Sequence, residues 1–291
     1  MRALEDTIAS LGGPVILRAV GRPSTPVATI ARWRHDAAII EVAPSDTVQL
    51  VMSLVDGPNA RGQESGKQAD RVRGGSISIF SPSEGVRLTV GDNADVLQLF
   101  MPQSYAQAIL DEEFECPPMF DLRDQRMQAT LMQILVRSAQ RSPDDTLLLD
   151  EALHRLAFSI REHAACDRAR RAGRTSIRTG GLSPRASRRV EDLVGAVLDS
   201  SASLSLMEMA TEAGLSVTHF VRAFREQNGI TPHRYLVRRR IERAISRLRS
   251  TDVPIAEVAD ESGYATPAHF VATFRSVMGV TPGAVRDALA R

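Results

Sequence analysis

The side chains whose type and spacing most clearly suit recognition of a ligand are two arginines on a short amphipathic segment near residues 217–227. In a helix, Arg222 and Arg225 fall on the polar face, and a guanidinium can bridge O6 and N7 of guanine in the major groove of DNA. Thr218 and Val221 share that face, where small side chains can contact a thymine methyl group. An arginine on a single helix is more often a solvated surface residue, so the surroundings of this segment decide between the two interpretations.

That segment belongs to a sequence repeat between residues 206 and 282. Both copies hold a glycine turn, two phenylalanines four residues apart and a Thr-Pro dipeptide. The offset is 49 from Gly214 to Gly263 and 50 from Gly229 to Gly279, so the second copy has gained one residue at its turn. A helix–turn–helix unit present only twice predicts a bipartite DNA reader, because stacked solenoids need about three or more units.

Cap signals predict where the elements of the first copy begin and end. Ser205 and Glu208 match a capping box for a short helix, and Gly214 can adopt the positive φ of a sharp turn after it. Ser216 can then cap the helix that carries Arg222. These signals place the arginine on the second helix of the unit, whose early residues enter the major groove in proteins of this architecture.

The second copy repeats the buried pattern with a different outer face. Its predicted cap and outer face consist of Thr266, Ala268, His269, Val271, Ala272 and Arg275. Ala272 occupies the position that matches Arg222, so the second helix lacks the long donor that reads guanine. We expect it to contribute shape fit and phosphate contacts through Arg275 and His269. His219 and His269 are interpreted as structural or phosphate-facing residues, not as metal ligands.

A long helix is predicted between the two copies, from Pro232 to about Ser250. Its run RRRIERAISRLR includes Arg238 and Arg239 and predicts a strongly basic face. Dense like charge disfavours an isolated helix, and a nearby phosphate backbone relieves the repulsion. About 20 helical residues span roughly 30 Å, close to the roughly 34–36 Å between successive major-groove segments. We therefore expect the two arginines to contact phosphates.

Residues 184–291, about 37% of the chain (108 of 291), resemble the DNA-binding domain of the AraC/XylS family of bacterial transcription regulators. The resemblance rests on GLS…HF.RAFR…GITPHRYL.RRRIERA and on I.EVA…GY…HF..TFR…G.TPG. It implies two recognition helices in adjacent major-groove segments, with Arg222 at a base-reading position. It further implies promoter or operator DNA as a partner, RNA polymerase contact, a homodimer and activation as the commoner mode. Family members often have polar residues at the positions of Pro267, Ala268 and Ala272.

The N-terminal half predicts a different architecture. Its short apolar runs VATIARW, TVQLVMSLV, SISIF, VRLTV and DVLQLFM are separated by turn signals and predict a small antiparallel sheet, sandwich or barrel. Helices are predicted near 122–141 and 144–164. This order resembles the cupin-like sensory domain of the same family. The expected fold is α+β, with a cupin-like domain at 1–165, a basic flexible linker at 166–183 and the DNA-binding domain at 184–291.

Charge and composition divide the chain in the same way. Residues 1–165 hold 16 Arg/Lys against 22 Asp/Glu, a formal charge of −6, whereas residues 166–291 hold 20 against 13, or +7. Such asymmetry predicts that only the second half meets a polyanion. No secretion signal or long apolar run is visible, which predicts a cytoplasmic protein without membrane partners.

Catalytic and metal-binding patterns are sparse. The first half contains three histidines, His35, His154 and His163, and metal-dependent cupins need several converging ligands. We therefore expect no enzyme activity, cofactor or metal. An apolar barrel can still bind a small-molecule effector, with Trp33 and His35 as candidate pocket residues and core packing as an equal explanation for Trp33.

Three alternatives to a sensory regulator stay open at the level of sequence. One is a metal-dependent cupin enzyme fused to a DNA-binding tail. Another is a DNA-repair methyl acceptor with the same tail, which would need a zinc-activated cysteine cluster; Cys116 and Cys166 are the two cysteines. The third is a regulator whose N-terminal domain mediates protein contacts alone.

Overall fold

The computed structural model describes residues 2–22, 25–36, 38–42, 44–55, 61–62, 73–80, 86–90, 93–110, 116–140, 145–172, 180–200, 204–250 and 252–290. Two compact units are formed, one by Met1–Ala169 with Arg275–Arg291 and the other by Arg170–Phe274. The predicted domain boundaries at 165/166 and 183/184 remain a prediction. Residues 173–179 of the predicted linker lie outside the described part, and residues 166–171 are helical.

The first unit is built on antiparallel sheets. Its strands are β1 Ile16–Arg22, β2 Thr25–His35, β3 Ala38–Val42, β4 Thr47–Ser53, β5 Arg61–Gly62, β6 Ile77–Phe80, β7 Val86–Val90, β8 Ala94–Pro102 and β9 Met119–Leu122. Six of them form a sheet in the order β1-β2-β8-β4-β6-β9, and β3-β7-β5 form a second sheet. All five predicted runs are strands, which confirms the antiparallel part of the α+β prediction; the cupin-like assignment stays a prediction.

The central strands of the large sheet are buried almost continuously. Leu99 of β8 pairs with Ile30 of β2 on one side and with Leu50 of β4 on the other, and all three side chains are fully buried. Polar residues are buried too: Gln98 Nε2 donates to Gln49 Oε1 at 2.8 Å across neighbouring strands. Burial of an amide without a hydrogen-bond partner costs free energy, so this bond allows both glutamines to be buried inside the sheet.

Four helices accompany the sheets: α1 Arg2–Leu11, α2 Gln103–Leu110, α3 Gln125–Gln140 and α4 Asp145–Arg171. The predicted helices near 122–141 and 144–164 correspond to α3 and α4, and α4 runs seven residues further than predicted. The sequence patterns missed α1 and α2. Among the described residues, no helix combines the length and the apolar character needed to cross a lipid bilayer.

The second unit and the end of the chain are helical. The elements are α5 Pro184–Asp199, α6 Leu206–Ala213, α7 Val217–Asn228, α8 Pro232–Leu248, α9 Ile255–Glu261, α10 Pro267–Met278 and α11 Pro282–Ala290. A core of apolar side chains from α5, α6, α7 and α8 surrounds Phe220 and Phe224, whose rings pack 5.4 Å apart. Burying one such side chain contributes about 1.5–3 kcal/mol. The connecting helix α8 has 17 residues, or about 25 Å at 1.5 Å per residue.

Candidate nucleic-acid interface

The sequence repeat is also a repeat of backbone geometry. Gly214 (φ 71°) and Gly263 (φ 77°) form the turns of the two units, and Gly229 (φ 71°) and Gly279 (φ 72°) end their second helices. All four lie in the left-handed region, where a Cβ is unfavourable. The glycine spacing read from the sequence therefore reflects one helix–turn–helix backbone built twice.

The two turn glycines should differ in their tolerance of alanine. At Gly214, a Cβ would lie 3.8 Å from Arg189 Nη2, whereas at Gly263 it would lie 3.2 Å from Arg240 Nε. Gly214→Ala should cost about 1–2 kcal/mol of unfolding free energy from left-handed strain, and Gly263→Ala should cost more because it also crowds Arg240. Urea unfolding measures both changes, with Gly195→Ala in the interior of α5 as a control that should stabilise by about 0.5–1 kcal/mol. Equal losses at the two turns would contradict the crowding.

The second helix of the first helix–turn–helix unit, α7, has one buried face and one exposed face. Ser216 Oγ accepts a hydrogen bond from the His219 amide at 3.4 Å and so caps α7. The phenylalanines of α7 are buried, and the opposite face consists of exposed Thr218, His219, Arg222 and Arg225 and half-buried Val221. Because α7 is capped at its start and anchored by its aromatic side, it presents Arg222 from a rigid helix.

The second helix–turn–helix unit has shorter side chains on the exposed face of its second helix, α10. Thr266 Oγ1 accepts from the His269 amide at 3.3 Å, and Ala268, His269, Ala272 and Arg275 are exposed along α10. Ala272 stands where the first unit has Arg222. The His269 ring also packs edge-on against the Tyr264 ring at 5.5 Å, so it is held against the turn of its own unit.

The capping box of α6 is complete. Ser205 Oγ accepts from the Glu208 amide at 3.2 Å, and the Ser205 amide and hydroxyl donate to Glu208 Oε2 at 2.8 and 2.7 Å. The bonds from the Ser205 amide and hydroxyl stabilise the carboxylate and hold the pKa of Glu208 below its ordinary value. Because a charged side chain caps this helix, the stability that the cap provides must depend on pH.

The stabilisation that Glu208 gives should be present above its unfolded pKa and disappear as the pH falls through its lowered folded pKa. Glu208→Gln keeps an acceptor but does not titrate. The difference in unfolding free energy between the unmodified chain and Glu208→Gln should therefore be larger at pH 6 than at pH 3. Urea unfolding at both pH values measures it, and an equal difference at both would contradict the role of the charged cap.

Two arginines of the basic run of α8, Arg238 and Arg239, lie beside a carboxylate of the same helix. Arg238 and Glu242 are 8% and 6% exposed, with Arg238 Nε 3.5 Å from Glu242 Oε1. Arg239 Nη1 donates to Glu242 Oε2 at 2.6 Å, and the Arg238 guanidinium lies 5.2 Å over the Tyr235 ring. One carboxylate thus faces two guanidinium groups, which leaves a net positive charge on this group of three side chains. That Arg238 and Arg239 contact phosphates stays a prediction.

Three further arginines of α8 contact the second helix–turn–helix unit, and the sequence interpretation missed this role. Arg243 Nε donates to the Glu261 carbonyl at 2.7 Å, and Arg247 Nη2 donates to Glu261 Oε1 at 2.7 Å. Arg240 lies over the Tyr264 ring at 5.7 Å. The spacing 240, 243 and 247 puts these side chains on one helical face, and that periodicity was the available signal. The basic run therefore fastens α9 and the turn that precedes α10.

The two candidate effector-pocket residues lie in different surroundings. Trp33 is buried in a cluster with Ala31, Phe100, Leu4, Leu11 and Val96. Among the described residues, its indole Nε1 has no hydrogen-bond partner. His35, two residues along β2, is half-buried, and its Nδ1 lies 2.9 Å from the Asp36 carbonyl. Trp33 thus packs in the core, and a pocket role for the two residues remains a prediction.

The other titratable candidates have local partners. His163 Nε2 bonds Asp124 Oδ2 at 2.9 Å, and this bond lowers the pKa of Asp124. His154 Nδ1 bonds the Asp150 carbonyl at 2.8 Å. Within the described ranges, no group of three or more His, Cys, Asp or Glu side chains is arranged to hold a metal ion. Burial raises the pKa of the Cys116 thiol to about 12, so it carries no thiolate near neutral pH.

Comparison with known proteins matches a helix-turn-helix domain family to residues 209–288. The transcriptional activator NphR of Rhodococcus sp is 33% identical over 108 residues, which are 35% of this chain and 32% of that protein. A putative AraC-like transcription regulator of Streptomyces antibioticus is 32% identical over 88 residues, 30% of this chain and 29% of that protein. The chain thus spans about a third of the length of these relatives.

Among solved structures, the DNA-binding domain of the global transcriptional factor AdpA, in complex with a target DNA, is 28% identical with a TM-score of 0.32. That match covers 34% of this chain and 91% of that chain. The family match on residues 209–288 coincides with the two units whose caps, turns and buried aromatic pairs repeat. The chain therefore carries a helix-turn-helix domain in its C-terminal part.

Proposed function

We propose that the chain is a sequence-specific DNA-binding transcription regulator of the AraC/XylS type. The observation that supports this most strongly is the pair of capped recognition helices, of which α7 presents exposed Arg222 and Arg225. A fixed helix with an exposed guanidinium is the arrangement that reads a guanine edge in the major groove. In this proposal α7 reads bases, and α10 contributes shape fit and backbone contacts from Arg275 and His269.

The charge distribution supports the same partner. The formal charge of +7 on residues 166–291 attracts a polyanion, whereas the −6 on residues 1–165 does not. Because Arg238 and Arg239 pair with Glu242, we propose that phosphate contacts come mainly from exposed arginines of α7 and α10, such as Arg225 and Arg275.

The experiment begins with selection of a binding duplex from a random-sequence pool by the full chain. Titration of that duplex at several salt concentrations should give an affinity whose logarithm falls linearly with log salt, because each neutralised phosphate releases about 0.9 counterion. A scrambled duplex of equal length is the control and should bind at least about 1000-fold more weakly. Failure to select any duplex, or equal affinity for both, would contradict the proposal.

We further propose that the N-terminal unit receives a signal, either a small-molecule effector or a dimerisation partner, and has no catalytic role. Metal analysis of the purified full chain distinguishes this proposal from the alternative of a metal-dependent enzyme fused to a DNA-binding tail. A stoichiometric first-row metal bound by residues 1–169 would favour that rival. RNA polymerase contact, a homodimer and activation belong to the same proposal, and a promoter-fused reporter with and without the chain tests the sign of regulation.

A further inference from the structure

The segment that precedes α5 lies against the last turn of α7. A Cβ on Gly180 would lie 2.5 Å from Glu226 Oε2 and 2.8 Å from Glu226 Cδ, so glycine is the residue that lets this carboxylate come so close. The next side chain of α7 is held nearby, because Gln227 Nε2 donates to Ser187 Oγ of α5 at 2.9 Å. All these residues belong to the unit Arg170–Phe274. The Glu226 carboxylate is thus accommodated by a glycine outside its own helix.

The position of Gly180 is set by its own backbone and by the residues that follow it. Its φ of 123° is one that residues with a side chain rarely adopt. Two residues further on, Leu182 is buried in the core that α5, α6, α7 and α8 share. Ser183 Oγ then accepts a hydrogen bond from the Ala186 amide at 3.2 Å and caps α5. The contact between Gly180 and Glu226 is therefore formed by two segments anchored in one core.

Glu226 stands four residues after Arg222 on α7. Side chains four residues apart on a helix are neighbours, and an arginine and a glutamate at this spacing can form an ion pair. Arg222 is exposed, and among the residues that the structure describes none pairs with it. A guanidinium that bonds a carboxylate offers fewer donors to a guanine edge, and a carboxylate at that place repels phosphates. Where the Glu226 carboxylate lies therefore matters for what Arg222 can bind.

We propose that Gly180 is a positioning residue for DNA recognition: it accommodates the Glu226 carboxylate and so keeps Arg222 available to bind a guanine edge. The proposal rests on the proposed function, in which Arg222 reads a base. A side chain at position 180 would displace the carboxylate, since the end of a flexible side chain moves more easily than a backbone anchored in a core. The arginine beside Glu226 on the same face of α7 is Arg222, so the displaced carboxylate would pair with it.

The test is a double-mutant cycle in the full chain, with Gly180→Ala, Glu226→Gln and both together. Gly180→Ala displaces the carboxylate, and Glu226→Gln removes the charge that would pair with Arg222. Gly181→Ala is the matched control, because it adds the same methyl group at the next residue, where φ is not left-handed and the Cβ would lie 3.3 Å from Gln227 Cβ. Titration at fixed salt with the duplex selected by the unmodified chain measures the Kd, and urea unfolding checks that each variant is folded.

Gly180→Ala should raise the Kd for the selected duplex about 2-fold or more, through the competing ion pair and the repulsion of phosphates. The scrambled duplex should be affected less, because it lacks the base that Arg222 reads. In the Glu226→Gln background, Gly180→Ala should have little effect on the Kd, and Gly181→Ala should have little effect in either background. A loss of affinity that persists in the Glu226→Gln background would overturn the role, since a merely structural glycine gives that result. An unchanged Kd for Gly180→Ala would overturn it as well.

A measurement without DNA separates failure of this proposal from failure of the proposed function. The Nε–Hε NMR signal of Arg222, assigned by its absence in Arg222→Ala, should shift in Gly180→Ala and return towards its original position when Glu226→Gln is added. A signal that does not move would overturn the displacement of the carboxylate, whatever the DNA result. If no duplex can be selected, the proposed function falls and the role of Gly180 in DNA recognition falls with it, while the NMR signal still reports the contact between Gly180 and Glu226.

Discussion

Replacing Arg222 with alanine should weaken binding to the selected duplex by about 1–3 kcal/mol, which is the discrimination that one bidentate arginine–guanine contact provides. At about 1.4 kcal/mol for each tenfold change, the Kd should rise by roughly one to two orders of magnitude. Arg222 is exposed on a helix whose opposite side holds Phe220 and Phe224 in the core. The substitution should therefore remove a contact without disturbing the fold. Titration at fixed salt, with the duplex selected by the unmodified chain, measures it.

Two neighbouring variants separate base reading from general attraction. Arg225→Ala should lower the affinity for the selected and the scrambled duplex alike. It should also reduce the slope of log affinity against log salt by about one, as expected of a phosphate contact. Ala272→Gly, at the matched position of α10, should change the Kd little because alanine has no donor for the substitution to remove. The asymmetry between the two helix–turn–helix units would be wrong if Arg222→Ala and Ala272→Gly had equal effects on the Kd, or if Arg222→Ala lowered the affinity for both duplexes equally.

The largest effect on stability is expected at Glu242. Its carboxylate, 6% exposed, is shared by Arg238 and Arg239 in the interior of the second unit. Removal of one partner from a buried ion pair leaves uncompensated charge and typically costs about 3–5 kcal/mol. Glu242→Ala should therefore lower the unfolding free energy by about that amount, as measured by urea unfolding of the full chain with a probe in the second unit.

The matched control is Glu226→Ala on the exposed surface of α7, where most substitutions stay within about 0.5 kcal/mol. A triple variant, Arg238→Met and Arg239→Met with Glu242→Leu, removes all three charges together and should recover much of the loss, because apolar replacement of buried ion pairs is often neutral. Equal small losses for Glu242→Ala and Glu226→Ala would show that the pair is solvated in solution.

Local signals predicted the helical half of the fold well. Ser205 and Ser216 cap the helices they were expected to cap, and Gly214 adopts a left-handed conformation at the predicted turn. Each of these interactions joins residues at most four positions apart, so residue type and spacing contain the information. The predicted strands of the first unit are confirmed for the same reason, since alternation and turn signals are also local.

Which charged side chains of α8 stay exposed depends on packing that residue spacing alone does not show. RRRIERAISRLR predicted an open basic face, but a face is open only if nothing packs on it, and α9 brings Glu261 against Arg243 and Arg247. Glu242 lies within the run itself at i+3 and i+4 spacing. That spacing was visible in the sequence, but the burial that makes the pairing decisive was not.

The sequence by itself determined the repeated helix–turn–helix units and the difference between Arg222 and Ala272, because these depend on local backbone preferences and residue identity. Only the tertiary structure decided which arginines stay exposed and where the last helix docks. Arg32 and Leu289 are 257 positions apart. No periodicity joins residues so distant; their contact exists because a buried Arg32–Asp95 pair has one more donor to satisfy and the end of α11 supplies the acceptor.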